Sequence, residues 1–455
     1  MNGTPHDHSY SVRGQFSTRL GFVLAAAGSA VGLGNIWGFP TQTVENGGGA
    51  FVLVYLVCSL ILAYPVLVAE LVIGRHAQSD AITAMERVPT DRKWRGLTRF
   101  SGLMATLTVC LILAFYSIVG GWLTGFALSP LLHYSGLSEL SSWLVTFSTS
   151  RNLVLTAVFL LVTCVLVCRG VRDGIERWSA RLMPLLLVLL LVMIAIILGQ
   201  PGGLTGLYHY LVPDLQHINP SLILSATGQS FFSMSLGVGA MMTYGSYLNR
   251  KANLPLVALQ VSLLDTGIAL LAGMLIVPAL YVALSMGLPA LLENGHLVDS
   301  DRLVFELMPL LFGQFGAWGE LISLLFFSLL CIAALTSSIS MLEVPVASLT
   351  ERCKWSRLQA GAVVSCAVLS VSILVIFFFD PVFGALVTLT TQYALPVHSL
   401  LLCLYVGWLM GRHRKLEEIR RGWKDVDRSL FWRIWPWYVR IVCPLMIAII
   451  IIDTF

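Results

Sequence analysis

The sequence predicts an all-α integral membrane protein with eleven transmembrane helices, ten of them in two five-helix halves of inverted topology. Three observations carry this expectation. Hydrophobic residues make up 57% of the 455 and charged residues 11%, with a mean hydropathy of +0.82. The apolar residues gather into runs of about 20 or more, long enough to cross a bilayer. Two of these runs are interrupted by glycines at corresponding places, Gly28-Ser29-Ala30-Val31-Gly32-Leu33-Gly34-Asn35-Ile36-Trp37-Gly38-Phe39-Pro40 and Ser233-Met234-Ser235-Leu236-Gly237-Val238-Gly239-Ala240.

The expected spans are 17–41, 51–74, 101–132, 152–169, 179–200, 221–248, 255–286, 318–350, 358–378, 382–411 and 432–453, with short non-crossing helices allowed in the 288–312 loop. With the N-terminus inside, the cytoplasmic segments hold 25 of the 28 Lys and Arg residues, so the positive-inside rule sets that orientation and leaves the C-terminus outside. Only Arg151 and Arg302 remain in outer loops, and Arg440 falls within the last span. The net charge of +4 reflects this bias and is not a nucleic-acid footprint. Residues 1–15 are polar and lack the apolar core of a signal peptide. The nine cysteines avoid the outer loops at 133–151 and 287–317, which argues against a disulfide framework. A bacterial inner membrane is the expected location, with lipid as the surrounding partner.

Glycine and proline weaken a helix where lipid demands an intact one, so such breaks must face protein, water or a solute. A broken span opening each of two halves points to a transporter's midplane site. The chain accordingly divides into a cytoplasmic segment 1–16, a first five-helix repeat 17–200, an inverted repeat 221–411, and a loop plus eleventh helix over 412–455. Glycine used for close helix packing is the plainer alternative for either break alone.

The motifs Thr18-Arg19-Leu20-Gly21, Ala30-Val31-Gly32-Leu33-Gly34-Asn35, Glu45-Asn46-Gly47-Gly48-Gly49-Ala50-Phe51, Glu70-Leu71-Val72-Ile73-Gly74-Arg75, Phe231-Phe232-Ser233-Met234-Ser235-Leu236-Gly237 and Leu335-Thr336-Ser337-Ser338 resemble the neurotransmitter:sodium symporter family, in particular its bacterial LeuT-like amino-acid transporters of the eleven-helix type. The likeness runs over residues 13–450. It implies two sodium ions and no organic cofactor. The positions matching the first sodium site are Ala30, Asn35, Ser233 and Asp265. Those matching the second are Gly28, Val31, Ala333, Thr336 and Ser337. The resemblance also implies a substrate pocket of Ala30, Gly32, Leu33, Gly34, Ile112, Tyr116, Phe232, Ser233, Ser235, Val238, Ser337 and Met341.

Asp265 lies within a span, where many relatives carry Asn. A carboxylate there is costly unless paired, protonated or functional. Chloride-dependent relatives cradle an anion at positions matching Tyr55, Gln229 and Ser233, and a fixed Asp265 carboxylate would replace that charge. Chloride-independent transport is therefore expected. Gly32 stands where amine-transporting relatives carry Asp. The glycine is expected to leave room and no charge, so the substrate brings its own carboxylate as an α-amino acid does. The apolar walls, the small Val238 and the adaptable Met341 favour a neutral hydrophobic side chain, aromatic ones included.

The family's cytoplasmic latch matches Arg13 and Glu351, supported by Ser246 and Tyr247, with Phe16 as an apolar plug. Glu70 matches a glutamate that hydrogen-bonds the unwound segments. Pro65, Pro184, Pro278, Pro345 and Pro396 are expected only to bend their helices. The outer latch departs from the pattern. Relatives read Trp-Arg-Phe-Pro after the first break, and here Trp37-Gly38-Phe39-Pro40 lacks the arginine. Its acidic partner is also missing, because the matching residues are Phe383 to Val387 and Asp380 lies outside the match. No metal-ligand spacing, nucleophile elbow or phosphate loop suggests an enzyme. A sodium-coupled amino-acid importer working by alternating access is the leading expectation. An amino-acid sensor or uncoupled leak pathway is the alternative, and the sequence carries no signal of oligomeric state.

Overall fold

The computed structural model describes residues 14–288, 292–293, 296–297 and 303–454. Among them nine helices are long and apolar enough to cross a membrane, and a bent pair makes a tenth span. The bent pair is α1 (Arg19–Ala30) and α2 (Gly34–Glu45), which meet at 58°. Then come α3 (Gly49–Ala77), α4 (Arg92–Tyr134), α5 (Thr149–Cys168) and α6 (Val171–Leu198). The span expected at 221–248 is two short helices, α7 (Pro220–Ser233) and α8 (Ala240–Ser246), parted by an unwound stretch. The rest are α9 (Leu254–Ser285), α10 (Gly316–Cys353), α11 (Arg357–Phe377), α12 (Phe379–Leu409) and α13 (Leu430–Ile452). The strand pairing described is Leu292–Glu293 against His296–Leu297, so the chain is all-α in class. The third and fifth spans start earlier than the apolar runs, because charged residues continue both helices into the preceding loops.

Local chemistry accounts for the helix starts and irregularities. Thr18 caps α1 by accepting from the Gly21 amide at 2.8 Å. The buried Glu176 carboxylate accepts from the Ser17 amide at 2.8 Å and hydroxyl at 2.6 Å. A Cβ on Gly21 would collide with that carboxylate, which explains the glycine in the Thr-Arg-Leu-Gly motif. Widened π-turns end two residues before Pro40, Pro65, Pro309, Pro396 and Pro444. Proline cannot donate to the carbonyl four residues back and its ring crowds that carbonyl, so the extra residue in the turn relieves the clash. The α-helix instead runs through Pro184, Pro278 and Pro345.

At the second break, Ser235, Gly237 and Gly239 take φ values of 51°, 85° and 78°. This left-handed geometry is easy for glycine and strained for serine. Long α10 packs along α4, while α1 is held among α6, α9 and α10. Both breaks are thereby enclosed by intact helices.

Candidate functional site

The first break places a small polar cluster in a dry interior. The Asn35 amide donates to Asp265 Oδ1 at 2.8 Å, to the Asp265 carbonyl at 3.2 Å and to Ser233 Oγ at 2.9 Å. Ser233 Oγ donates to Asp265 Oδ2 at 2.8 Å, and the Tyr55 hydroxyl donates to Ser233 Oγ at 3.1 Å. Asn35, Ser233 and Asp265 are all buried. Asn35 Oδ1 also accepts from the Gly32 amide at 3.2 Å, which ties the cluster to the unwound backbone. Ala30 is the last residue of α1. Three of the four expected residues of the first sodium site therefore meet directly, and together they offer the oxygen donors a hard cation requires.

A second oxygen-rich spot lies where α1 ends against α10. Ser337 Oγ is 3.4 Å from the Gly28 carbonyl, 3.3 Å from that of Ser29 and 3.1 Å from that of Val31. Thr336 Oγ1 donates to the Ala333 carbonyl at 3.0 Å. A Cβ on Gly28 would stand 3.3 Å from Thr336 Cβ, so the glycine lets the two helices approach. Gly28, Val31, Ala333, Thr336 and Ser337 thus share one junction.

Between these spots, the Leu33 amide donates to the Tyr116 hydroxyl at 3.3 Å. Gly32 does not leave free room. A Cβ there would lie 2.6 Å from Ser337 Oγ and 2.9 Å from the Tyr116 hydroxyl, so the expectation of spare volume is corrected to one of close approach. Gly34 similarly faces the Phe232 ring, 2.9 Å from a Cβ. Ser235 Oγ reaches the Ser29 carbonyl at 3.4 Å, Ile112 and Val238 are buried, and Met341 is half-buried.

A cavity of about 580 Å³ opens beside this centre. Leu33, Gly34, Tyr116 and Phe232 line it with Trp37, Gly38, Gln229, Phe383 and Val387, whereas Ile112, Ser235, Val238, Ser337 and Met341 lie outside its lining. Gly38 and Phe383 therefore share one vestibule, where relatives are expected to carry an ion pair. Gln229 lines the same cavity as Gly34. Its amide donates to the Gly34 carbonyl at 2.7 Å, a carbonyl beside the break. Ser233, meanwhile, spends its single proton on Asp265.

At the other end Phe16 is buried, with its amide on the Tyr247 carbonyl at 3.3 Å and its ring edge-on to Phe22, Tyr244 and Tyr247. Ser246 Oγ donates to the Thr243 carbonyl at 2.5 Å. Glu351 accepts from the Asp80 amide at 2.8 Å, and Arg13 lies outside the described residues. Glu70 Oε1 accepts from the Gly237 amide at 2.6 Å and so braces the second break. Sequence reasoning missed Glu343. This buried carboxylate accepts from the Tyr247 hydroxyl at 2.5 Å and from both terminal nitrogens of Arg357 at 3.2 and 2.5 Å. Its signal was available, since an ionisable residue within a span is a functional candidate by default.

Two broken helices closing on buried oxygen clusters, inside a multi-pass helical fold, define a secondary transporter of the LeuT-like architecture. The model of the sodium:neurotransmitter symporter family matches residues 13–135 and 133–455, and the chain belongs to that family of sodium-dependent transporters, which are not enzymes. An uncharacterised sodium-dependent transporter, YhdH, of Bacillus subtilis (strain 168) is 34% identical, over 96% of this chain and 97% of that protein. The sodium-dependent neutral amino acid transporter B(0)AT2 of Bos taurus is 26% identical over 63% of this chain and 43% of its own length. Among solved structures, MhsT in complex with L-phenylalanine superposes with a TM-score of 0.82 at 33% identity, covering 97% of this chain and all of that one.

Proposed function

We propose that this chain imports neutral hydrophobic α-amino acids, aromatic ones included, by sodium-coupled alternating access without a requirement for chloride. The observation that carries the reading is the buried Asn35–Ser233–Asp265 cluster, which joins both breaks to α9 through one carboxylate. The L-phenylalanine bound to MhsT and the neutral amino acids named for B(0)AT2 support the substrate class. In this reading the protein sits in a bacterial inner membrane, N-terminus inside and C-terminus outside, as two inverted five-helix halves followed by an eleventh helix.

Each group then has a task. Asp265, Asn35, Ser233 and the Ala30 carbonyl hold one sodium ion. Carbonyls of Gly28, Val31 and Ala333, with hydroxyls of Thr336 and Ser337, hold a second. The substrate carboxylate meets the first ion, the amides at Leu33 and Gly34, and the Tyr116 hydroxyl. That hydroxyl accepts from Leu33, so its own proton remains available for a carboxylate. The ammonium group faces the Ala30 and Phe232 carbonyls and Ser337. Because Ser337 contacts carbonyls of the first break, occupancy of the second ion site and of the substrate site bias the same segment. Differential binding to two states is what couples ion and solute. Asp265 supplies the fixed negative charge that would otherwise call for chloride.

A sensor or uncoupled leak is the second reading, favoured by the uncharged pairing of Gly38 with Phe383 across the open vestibule. Uptake of a labelled hydrophobic amino-acid mixture into proteoliposomes separates the two. Accumulation that requires an inward sodium gradient and fails in Asp265→Ala supports the symporter. Binding without accumulation supports the sensor or leak.

A further inference from the structure

Arg440 has no part in the transport reading, yet its surroundings are built around it. It lies in the π-turn Tyr438–Val442 of α13, alongside the π-turn Tyr405–Leu409 that ends α12. Its guanidinium carbon is 3.9 Å from the Trp408 ring centre and 5.6 Å from that of Trp437. The Trp408 indole also donates to the Arg440 carbonyl at 3.1 Å. A Cβ at Gly407 would come within 2.7 Å of Arg440 Cα, so the glycine lets the two turns touch. Among the described residues, Arg440 makes no ion pair with a carboxylate.

Other cations lie close by. The Lys415 ammonium, on the cytoplasmic helix Arg412–Arg420, donates to the Val406 carbonyl at 2.8 Å. Burial, followed by the charges of Arg440 and Arg412, holds its pKa down to about 8. Arg412 in turn stands 5.9 Å from the Trp432 ring.

A cation in a membrane helix without a carboxylate is costly and marks a site whose partner must be named. Indoles stacked on a guanidinium offset part of that cost through cation–π attraction. Trp408 stacks on the guanidinium and Trp437 stands nearby, while the in-plane N–H fork suits an oxyanion and fits phosphate oxygens in pairs. Trp408 and Trp437 are 59% and 54% exposed. Tryptophan prefers the headgroup level, and basic pockets between spans on the cytoplasmic side suit acidic headgroups.

We propose that Arg440, with Arg412 and Lys415, binds the phosphate of an anionic phospholipid of the cytoplasmic leaflet, its glyceryl and acyl portions lying against Trp408 and Trp437. Free phosphate shares the headgroup chemistry but gains nothing from exposed indoles, which favours the lipid.

The test is native mass spectrometry of the full chain in detergent, titrated with dioleoyl phosphatidylglycerol or dioleoyl phosphatidylcholine. The wild type should retain a tight phosphatidylglycerol adduct that phosphatidylcholine does not form. Arg440→Gln should weaken it about tenfold, while Arg172→Gln, an exposed cation in the turn that opens α6, leaves it unchanged. Arg412→Gln and Lys415→Gln keep the Arg440 stack and should each weaken it about fivefold, so the site stays testable even if Arg440→Gln does not fold. Equal affinity for the two lipids, or unchanged affinity in the variants, overturns the site. Displacement by millimolar inorganic phosphate overturns the lipid as its ligand.

Discussion

Ser233, the last residue of α7, gives its hydroxyl proton to Asp265 of α9 across 2.8 Å, while the opposite carboxylate oxygen takes the Asn35 amide at the same distance. One buried side chain thus joins both broken spans to an unbroken one. The arrangement concentrates negative charge beside the first break, where the proposed reading puts a sodium ion and the substrate carboxylate.

Uptake should therefore survive replacement of chloride by gluconate within about twofold. Asp265→Asn keeps the shape and removes the charge, and sodium-driven uptake should fall at least tenfold, equivalent to about 1.4 kcal/mol of lost interaction. Radiolabel uptake in proteoliposomes reads both, and a steep loss in chloride-free buffer in the wild type would sink the proposal.

Gly32→Ala introduces a methyl group into the gap between Ser337 and Tyr116. Overpacking of this kind costs about 1–3 kcal/mol. Substrate-induced thermal stabilisation should vanish in the variant while membrane insertion persists. A variant that binds normally would place the substrate elsewhere.

Gly38→Arg is sterically tolerable, because a Cβ there meets the Gln229 amide at 3.6–3.7 Å and the Leu33 carbonyl at 3.9 Å, all ordinary contacts. The new charge has Phe383 rather than a carboxylate across the vestibule, so uptake should fall about tenfold. Gly38→Arg with Phe383→Asp should recover much of it by restoring an ion pair. An unchanged rate in the single variant would show that the outer closure is indifferent to charge.

Glu343→Gln leaves Arg357 without its carboxylate. Breaking such a pair costs about 3–5 kcal/mol when buried, and less here because Arg357 is 26% exposed. Tyr247→Phe removes the hydroxyl that donates to the Glu343 carboxylate, a hydrogen bond to a charged group worth about 1.5–3 kcal/mol. Thermal unfolding should rank Glu343→Gln below Tyr247→Phe and both below the wild type. Labelling of a cysteine introduced at Phe16 should rise in Tyr247→Phe as the plug loosens.

Acid should weaken the junction of α3 with the helix Arg412–Arg420. Burial by itself would raise the Glu418 carboxyl, but hydrogen bonds from His76 and Arg75 and the charges of Arg75 and Arg421 hold it below its usual 4.5. A depressed carboxylate contributes its stability fully above 4.5 and loses it as pH falls through the lower folded value. The thermal midpoint should drop in that acid window, and Glu418→Gln should flatten the drop while lowering stability at neutral pH.

The order of the apolar segments, the two glycine breaks and the family motifs were legible in the sequence, because bilayer thickness and backbone hydrogen bonding leave a membrane chain few choices. Asn35, Ser233 and Asp265 could be named because they stand at positions that the family resemblance assigns to a sodium site. Glu343 escaped because it matched no motif, and its importance appears only when Tyr247 and Arg357 arrive from 96 residues before it and 14 after.

Composition and pattern by themselves determined an all-helical membrane transporter with interrupted first and sixth spans. Only the tertiary structure decided that Gly32 marks close approach rather than spare volume, that the Gln229 amide meets the Gly34 carbonyl, and that Arg440 lies beside the indoles of Trp408 and Trp437. Apolar periodicity is a property of one segment against lipid. Which donor meets which acceptor depends on how distant helices pack, and no single segment encodes that.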